Sequence, residues 1–380
     1  MKEEASMLRL CSRLGLGLTL IGCAGTLPAL GQPHEPAHVQ EGLGVTLPQT
    51  ALLRTGYEII LIDPPEAPPT STTQACAVNN VGEVLGNYSR PGFIFYTGAI
   101  WRDGELTTVD SSASQQHDIN EAGHAVATRS ALWSYEAIMW RDGEEIDLGI
   151  PSYSFAYGIN DCDQVVGDYE DAFGDRRAFF WDDFVLTGLP RLNGPESTAI
   201  AINNAQQIAG YADYVNPEHP EAAVSCAVRW EHVDGEWVIS PIAPLGTYSF
   251  AMDINEAGDV VGAIRNGSAN RQPALFTEEG VTILNEETAW GIARGMNNAG
   301  DVVGSYESVG SGDDSAFLWK DGVFTDLNDL LRPSAQADWD LWCASDINDQ
   351  GWIVGIGDYQ GEMRGFVLCP VVVRDAKRLR

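Results

Sequence analysis

The decapeptide DINEAGDVVG at residues 253–262 is one of seven copies, the other six altered, and that recurrence limits the fold more than any other property of the chain. Aligned on its asparagine, it appears around Asn79, Asn120, Asn160, Asn203, Asn255, Asn297 and Asn348, at steps of 41, 40, 43, 52, 42 and 51 residues. A period near 40 to 45 residues is that of propeller blades or of helical repeats. Residue type separates the two. Some twenty or more residues after each asparagine comes a short apolar and aromatic block: GAIWRDG, EAIMWRDG, RAFFWDD, CAVRWEHVDG, PALFTEEG, SAFLWKDG and RGFVLCP. In most copies it ends in an Asp-Gly or Glu-Gly type of turn, a hairpin signal. Forty glycines and nineteen prolines, with hardly any apolar run at helical spacing, fit the same picture. Each unit therefore reads as four antiparallel strands, and helix should be scarce.

Within N-x-x-G, the asparagine side chain can cap its own turn, and the glycine three residues on tolerates the positive φ needed to re-enter a strand. A calcium loop would need several converging carboxylates. The residue two before the asparagine is acidic only at Asp118, Asp253 and Asp346, and is Ala77, Gly158, Ala201 or Gly295 elsewhere. The decapeptide is thus read as a hairpin, with no metal and no cofactor.

The seventh copy stops after its third strand, GFVLCP, while an unassigned β run, GYEIILID at residues 56–63, precedes the first copy. Pairing these ends closes a ring and removes exposed sheet edges. The expectation is an all-β, seven-bladed β-propeller of four-stranded antiparallel blades spanning 56–370, closed by its N-terminal strand.

The two recurring blocks resemble the HAF family of bacterial extracellular repeats, whose units pair an I-N-x-x-G-x-V-V-G block with an A-F-x-W block. The likeness covers residues 56–370 and implies secretion, a propeller-like fold and no settled activity. Departures are local: Ala127 stands for the closing glycine in copy two, Asp163 and Gln206 for the turn glycine in copies three and four, and Thr277 for the tryptophan in copy five.

The first residues read as an export signal, 1–23: Arg9 and Arg13 precede an apolar run from Leu14 to Ile21, too short for a permanent span. Glu3 and Glu4 are odd in such a segment, and a start at Met7 would remove them. LIGC at residues 20–23 resembles a lipobox with Cys23 as the lipidated residue, and ALG at 29–31 resembles an ordinary cleavage site. Both readings stay open. Residues 24–55 form a Pro- and Gly-rich tether, and 371–380 a basic tail.

Formal net charge is −32, from 22 Lys and Arg against 54 Asp and Glu, and this field opposes binding to phosphate backbones. Nucleic acid is therefore not an expected partner, and the membrane enters only through a lipid anchor. The six histidines are scattered, and no nucleophile motif accompanies them. The recurring Trp101, Trp140, Trp181, Trp230 and Trp319 read as packing between blades. Aromatics in the stretched segments, Tyr211 and Tyr214 near residues 211–224 and Trp339 and Trp342 near 333–342, are the candidate ligand-binding residues. Cys76 and Cys343, near each other if the ring closes, are the candidate disulfide. The reading is a monomeric, exported or cell-surface scaffold that binds a glycan, peptide or protein. A secreted hydrolase or lyase is the alternative, and a structural envelope protein a third reading.

Overall fold

The computed structural model describes residues 54–373, apart from 63–70, 90–95, 103, 111–113, 132–133, 152, 221 and 266–269. The export signal, Cys23, residues 24–53 of the expected tether and residues 374–380 of the expected tail lie outside the described residues, whereas 54–55 and 371–373 belong to paired strands of the propeller rather than to tether and tail. Seven four-stranded antiparallel sheets form a seven-bladed β-propeller. Blades 1 to 6 take their strands in chain order, beginning at Thr72, Ser114, Ser154, Ser197, Ser249 and Thr288. Blade 7 takes three strands from residues 339–373 and its fourth from Arg54–Ile62. The register of that fourth strand runs from Ile62 opposite Gly365, through Glu58 opposite Cys369, to Arg54 opposite Val373. The two ends of the propeller thus meet in one sheet, as the split seventh unit implied. Two four-residue helical turns, Leu327–Leu330 and Pro333–Gln336, lie in the connector to blade 7.

The N-x-x-G turns are uniform. Each asparagine side-chain oxygen accepts the backbone N–H four residues on, at 2.8–3.1 Å. The third residue of the turn has positive φ in every copy, including the two without glycine, where Asp163 and Gln206 both sit at φ 60°. Those two departures leave the turn geometry intact, at the cost that any side chain carries in the left-handed region. The last glycine of the decapeptide has a different reason, because a Cβ on Gly262 would stand 2.0 Å from the carbonyl oxygen of Phe250. That carbonyl belongs to the first strand of the same blade, next to a β-bulge found at the same place in all seven blades.

The tryptophans fill the wedges between blades, as expected for sheets covered on both faces. Trp181 and Trp230 are fully buried. Their Nε1 groups donate to the carbonyls of Leu148 and Pro190, in the connectors leaving the preceding blades, at 3.0 and 2.7 Å. Each buried indole therefore satisfies its one donor while holding its neighbour. One expectation needs correction. Phe276, not Thr277, occupies the tryptophan place in blade 5: it pairs with Val260 as Trp319 pairs with Val302, and it is buried. The turn in this copy is Glu278–Glu279, before the glycine rather than ending on it, so counting back from Gly280 points one residue too far.

Candidate functional site: a crescent on the loop face

In an antiparallel blade, successive turns alternate between the two faces of the ring. The N-x-x-G turns, which join first to second strands, share one face with the Asp-Gly turns. The second-to-third loops and the blade-to-blade connectors share the other. The stretched segments fall together on this second face: the loop of blade 4 between Val215 and Ala223, the loop of blade 6 between Ser308 and Asp314, and the connector from Asp326 to Trp339.

The turn face is engaged with itself. Six of the seven turn asparagines donate Nδ2 to the backbone carbonyl of the next blade's asparagine at 3.0–3.3 Å. The residue after each asparagine adds a second ring without a gap. Its backbone N–H donates to the side-chain oxygen of the equivalent residue in the next blade, through Asn80, Glu121, Asp161, Asn204, Glu256, Asn298 and Asp349 and back to Asn80, at 2.8–3.2 Å. Asp118, Asp253 and Asp346 lie deeper. Each accepts the backbone N–H of the residue before the next blade's asparagine, namely Ile159, Met296 and Val78, at 2.7–2.8 Å. Burial pushes all three carboxyls up, Asp346 to about 7, and they repel one another across the axis. A hollow of about 40 Å³ opens here, lined by Asp346 and by turn residues including Asn80, Glu121, Glu256, Asn298 and Asp349. Its polar atoms are occupied in holding the ring, and among the described residues no group of three or more His, Cys, Asp or Glu is placed to hold a metal ion.

The loop face is different. A relay of aromatic rings and guanidinium planes crosses blades 2 to 6. Exposed Tyr135 stacks on Phe155 at 5.2 Å, and Phe155 lies parallel to Tyr157 at 6.1 Å. The Arg176 guanidinium covers Phe155 at 5.0 Å and meets the buried Asp168 at 3.3 Å. Tyr211 continues the line to Phe250 at 6.4 Å. Tyr248 meets the same ring at 5.8 Å. Arg271 is held between Phe250 at 5.0 Å and Trp290 at 4.5 Å, and Arg265 lies over Tyr248 at 4.7 Å.

The floor of this relay comes from the bulge. The bulged residue of each first strand, three before the asparagine, differs from blade to blade: Cys76, His117, Tyr157, Ile200, Met252, Arg294 and Ser345. His117 donates or accepts at Thr128 Oγ1, 3.0 Å from its Nε2, while its Nδ1 has no hydrogen-bond partner among the described residues. Burial lowers its pKa to about 3, so the ring is neutral. Asp168 Oδ2 accepts from Thr198 at 2.8 Å, and Oδ1 has no partner among the described residues. Burial raises this carboxyl to about 6 against the opposing pull of Arg176 and Thr198. The hydroxyl of Tyr157 is pushed well above its usual range, first by burial and then by Asp168.

Of the expected ligand-binding residues, only Tyr211 belongs to this relay. All four lie in strands rather than in insertions. Trp339 is buried against Tyr359 at 4.9 Å and Phe366 at 6.2 Å, so it is core. Tyr214 sits opposite Val224 in blade 4, and Trp342 in blade 7 donates Nε1 to Asp340 at 3.1 Å, outside the relay. Cys76 and Cys343 are both free thiols. The Cys76 sulfur accepts from Asn87 at 3.2 Å and the Cys343 sulfur is directed at the Ala344 carbonyl at 3.6 Å, so each has a partner other than the second thiol. The sequence does carry a signal for the residues that were missed. The positions three and five before the asparagine vary in chemistry beside a residue four before it that is Ala in six of the seven copies.

These features define the class as a closed, seven-bladed β-propeller with a regular turn face and an irregular loop face. No family model matches the chain, and no curated protein matches it. Among solved structures it is similar to the propeller domain of the trilobed protease of Pyrococcus furiosus, at TM-score 0.57 and 10% identity over 82% of this chain and 100% of that one. That domain is described as having an open velcro topology, whereas here the N-terminal strand closes the ring. Weaker likenesses are to a puromycin-hydrolyzing peptidase of Mycobacterium tuberculosis (TM-score 0.47, 12% identity, 81% of this chain) and to TolB of Acinetobacter baumannii (0.45, 12%, 78%). The matched region spans 49% of the peptidase and 63% of TolB. The likeness carries the fold and nothing further.

Proposed function

We propose that the protein is an exported binding propeller that takes a glycan across the crescent on its loop face. The two groups of rings and guanidinium planes on one face, Tyr135 to Arg176 and Tyr211 to Trp290, carry this reading. Aromatic faces offer flat apolar area at low entropic cost and suit the C–H faces of sugar rings, while Arg and Tyr supply directional donors. The corresponding inner positions of blades 7 and 1 hold Cys343, Ser345, Gln74 and Cys76, so among the described residues the aromatic surface forms a crescent. The leader and the likeness to HAF repeats support export. The test is a glycan array with the wild type and with Tyr135→Ala and Trp290→Ala. Loss of about tenfold or more in affinity with an unchanged melting temperature supports the proposal. Binding that survives both substitutions overturns it.

A second reading, a secreted hydrolase or lyase, is favoured by one observation. Asp168 is a buried acid shifted to about 6, with one oxygen unpartnered among the described residues, beside Tyr157 and Arg176. Polysaccharide cleavage by the wild type that is lost in Asp168→Asn would establish it.

A further inference from the structure

We infer that the blade 5 and 6 end of the crescent is an anion subsite, and that the glycan it accepts is acidic, carrying a uronate carboxylate or a sulfate ester. The inference rests on the proposed binding role and goes on to name the ligand chemistry. Three arginines converge at this end from three separate places: Arg265 after the second strand of blade 5, Arg271 before its third, and Arg294 at the bulge of blade 6. Arg265 is exposed, whereas Arg271 and Arg294 are buried. Their charges oppose one another. Burial lowers Arg271 to about 10 against the opposing pull of Tyr248, and Arg294 and Arg265 push it in the same direction as burial.

Most of the other described cations of this acidic chain are neutralised locally, although Arg177 and Arg332 form no ion pair among the described residues. Arg102 pairs with Glu83, Arg129 with Glu136 and Glu145, Arg141 with Asp163, Arg176 with Asp168, Arg191 with Asp171 and Asp175, and Lys320 with Asp301. Among the described residues neither Arg265 nor Arg294 forms an ion pair. Arg294 reaches only the hydroxyl of Ser305, at 3.5 Å. With 54 acidic residues in the chain, leaving Arg265 and Arg294 without an ion pair among the described residues is a local choice of sequence, and an incoming oxyanion offsets their charge.

The geometry also selects the kind of anion. A guanidinium is a planar fork that holds a carboxylate or sulfate through two parallel hydrogen bonds. Arg271 is fixed between Phe250 and Trp290, so its plane is set before a ligand arrives. Tyr248 and Trp290 are only half-buried and leave ring surface beside the cations for the sugar itself. The overall charge does not forbid this. Screening acts over about 8 to 10 Å at ordinary ionic strength, so a short acidic oligosaccharide meets the arginines, whereas a long polyphosphate meets the whole negative field.

The experiment is calorimetric titration of the full-length protein with tetragalacturonate, its methyl ester, a sulfated galactan tetrasaccharide and a short oligothymidylate. Tight binding of the uronate identifies carboxylate as the anion, and tight binding of the galactan identifies sulfate. The expected result is that at least one acidic saccharide binds about tenfold or more tighter than the neutral ester. Its affinity falls as salt rises from about 50 to about 300 mM. Arg265→Gln, at an exposed position, weakens it by about fivefold or more without changing the melting temperature, and Arg271→Lys, which keeps the charge but loses the fork, weakens it to at least the same extent. Equal binding of ester and acid, unmoved by Arg265→Gln, overturns the anion subsite and leaves the binding role standing. Failure of both acidic saccharides to bind, or tighter binding of oligothymidylate, overturns the inference. Absence of any ligand on a broad glycan array overturns the binding role as well.

Discussion

Asn348 Nδ2 donates to the backbone carbonyl of Asn79 at 3.0 Å, joining the last repeat to the first across 269 residues of chain. The same side chain caps its own turn through Oδ1, so one amide holds both the hairpin and the neighbouring blade. Six blades share this arrangement. Asn255 is the exception, since its Nδ2 faces the Met296 sulfur at 4.0 Å.

That exception makes the ring testable. Replacing Asn348 or Asn120 by Ala removes the cap and an inter-blade bond, and leaves buried donors and an acceptor unpaired, at about 1 to 3 kcal/mol for each group. Asn255→Ala loses only the cap and a weak sulfur contact. Urea denaturation should therefore place Asn255→Ala as the mildest of the three. Equal losses would show that the ring bonds contribute nothing beyond the turns.

The closing strand should be indispensable. It buries Tyr57 and Ile62, and a buried side chain of this size is worth roughly 1.5 to 3 kcal/mol. A chain beginning at residue 64 also leaves the edge Glu362–Val373 unpaired and should melt lower and aggregate. A chain beginning at residue 51 should melt as the full-length protein does. Coincident melting curves for the two truncations would rule out a shared seventh blade.

Gly258 and Gly300 lie at φ 85° and 81°, so valine at either position is strained by about 1 to 3 kcal/mol. A Cβ on Gly300 meets nothing within 4 Å, which isolates the backbone term. At Gly258 it also approaches Gln207 Oε1 to 2.8 Å, so Gly258→Val should be the worse of the pair by chemical denaturation. Asparagine at position 300 should cost less than valine, because it tolerates the left-handed region.

Stability should fall as pH rises from about 4 to about 7. The folded-state pKa of Asp346 is raised from 3.8 to about 7, and those of Asp118 and Asp253 are raised in the same direction. The sign follows from linkage. The folded protein holds these protons more tightly than the unfolded chain, so the contribution is complete below about 4 and is lost through the folded pKa. Asp346→Asn keeps an oxygen for the Val78 N–H and should flatten part of the slope, by about 1 to 4 kcal/mol between the two ends. The check is thermal melting of both proteins across this range. Parallel curves would mean that the axial carboxyl does not titrate there.

Much of the architecture was legible because its causes are local and repeated. The asparagine cap, the positive φ of the third turn residue and the Asp-Gly hairpins each lie within a few residues, and seven copies repeat the evidence. Even closure could be read, because a unit split between the ends of a chain has one way to complete its sheet. Chemistry that depends on neighbours could not be read. Asp118, Asp253 and Asp346 resemble fragments of a metal loop in one dimension, and only the ring shows that each caps the next blade. Trp339 and Tyr211 look alike as aromatics in stretched segments. One is core against Phe366 and the other joins the crescent, because burial is decided by sheets that lie far apart in sequence. The sequence by itself determined the blade, its number and its closure. The alternation of faces, the convergence of Arg265, Arg271 and Arg294, and the relay from Tyr135 to Trp290 were decided by tertiary structure, since side chains from five blades become neighbours only when consecutive blades pack against one another.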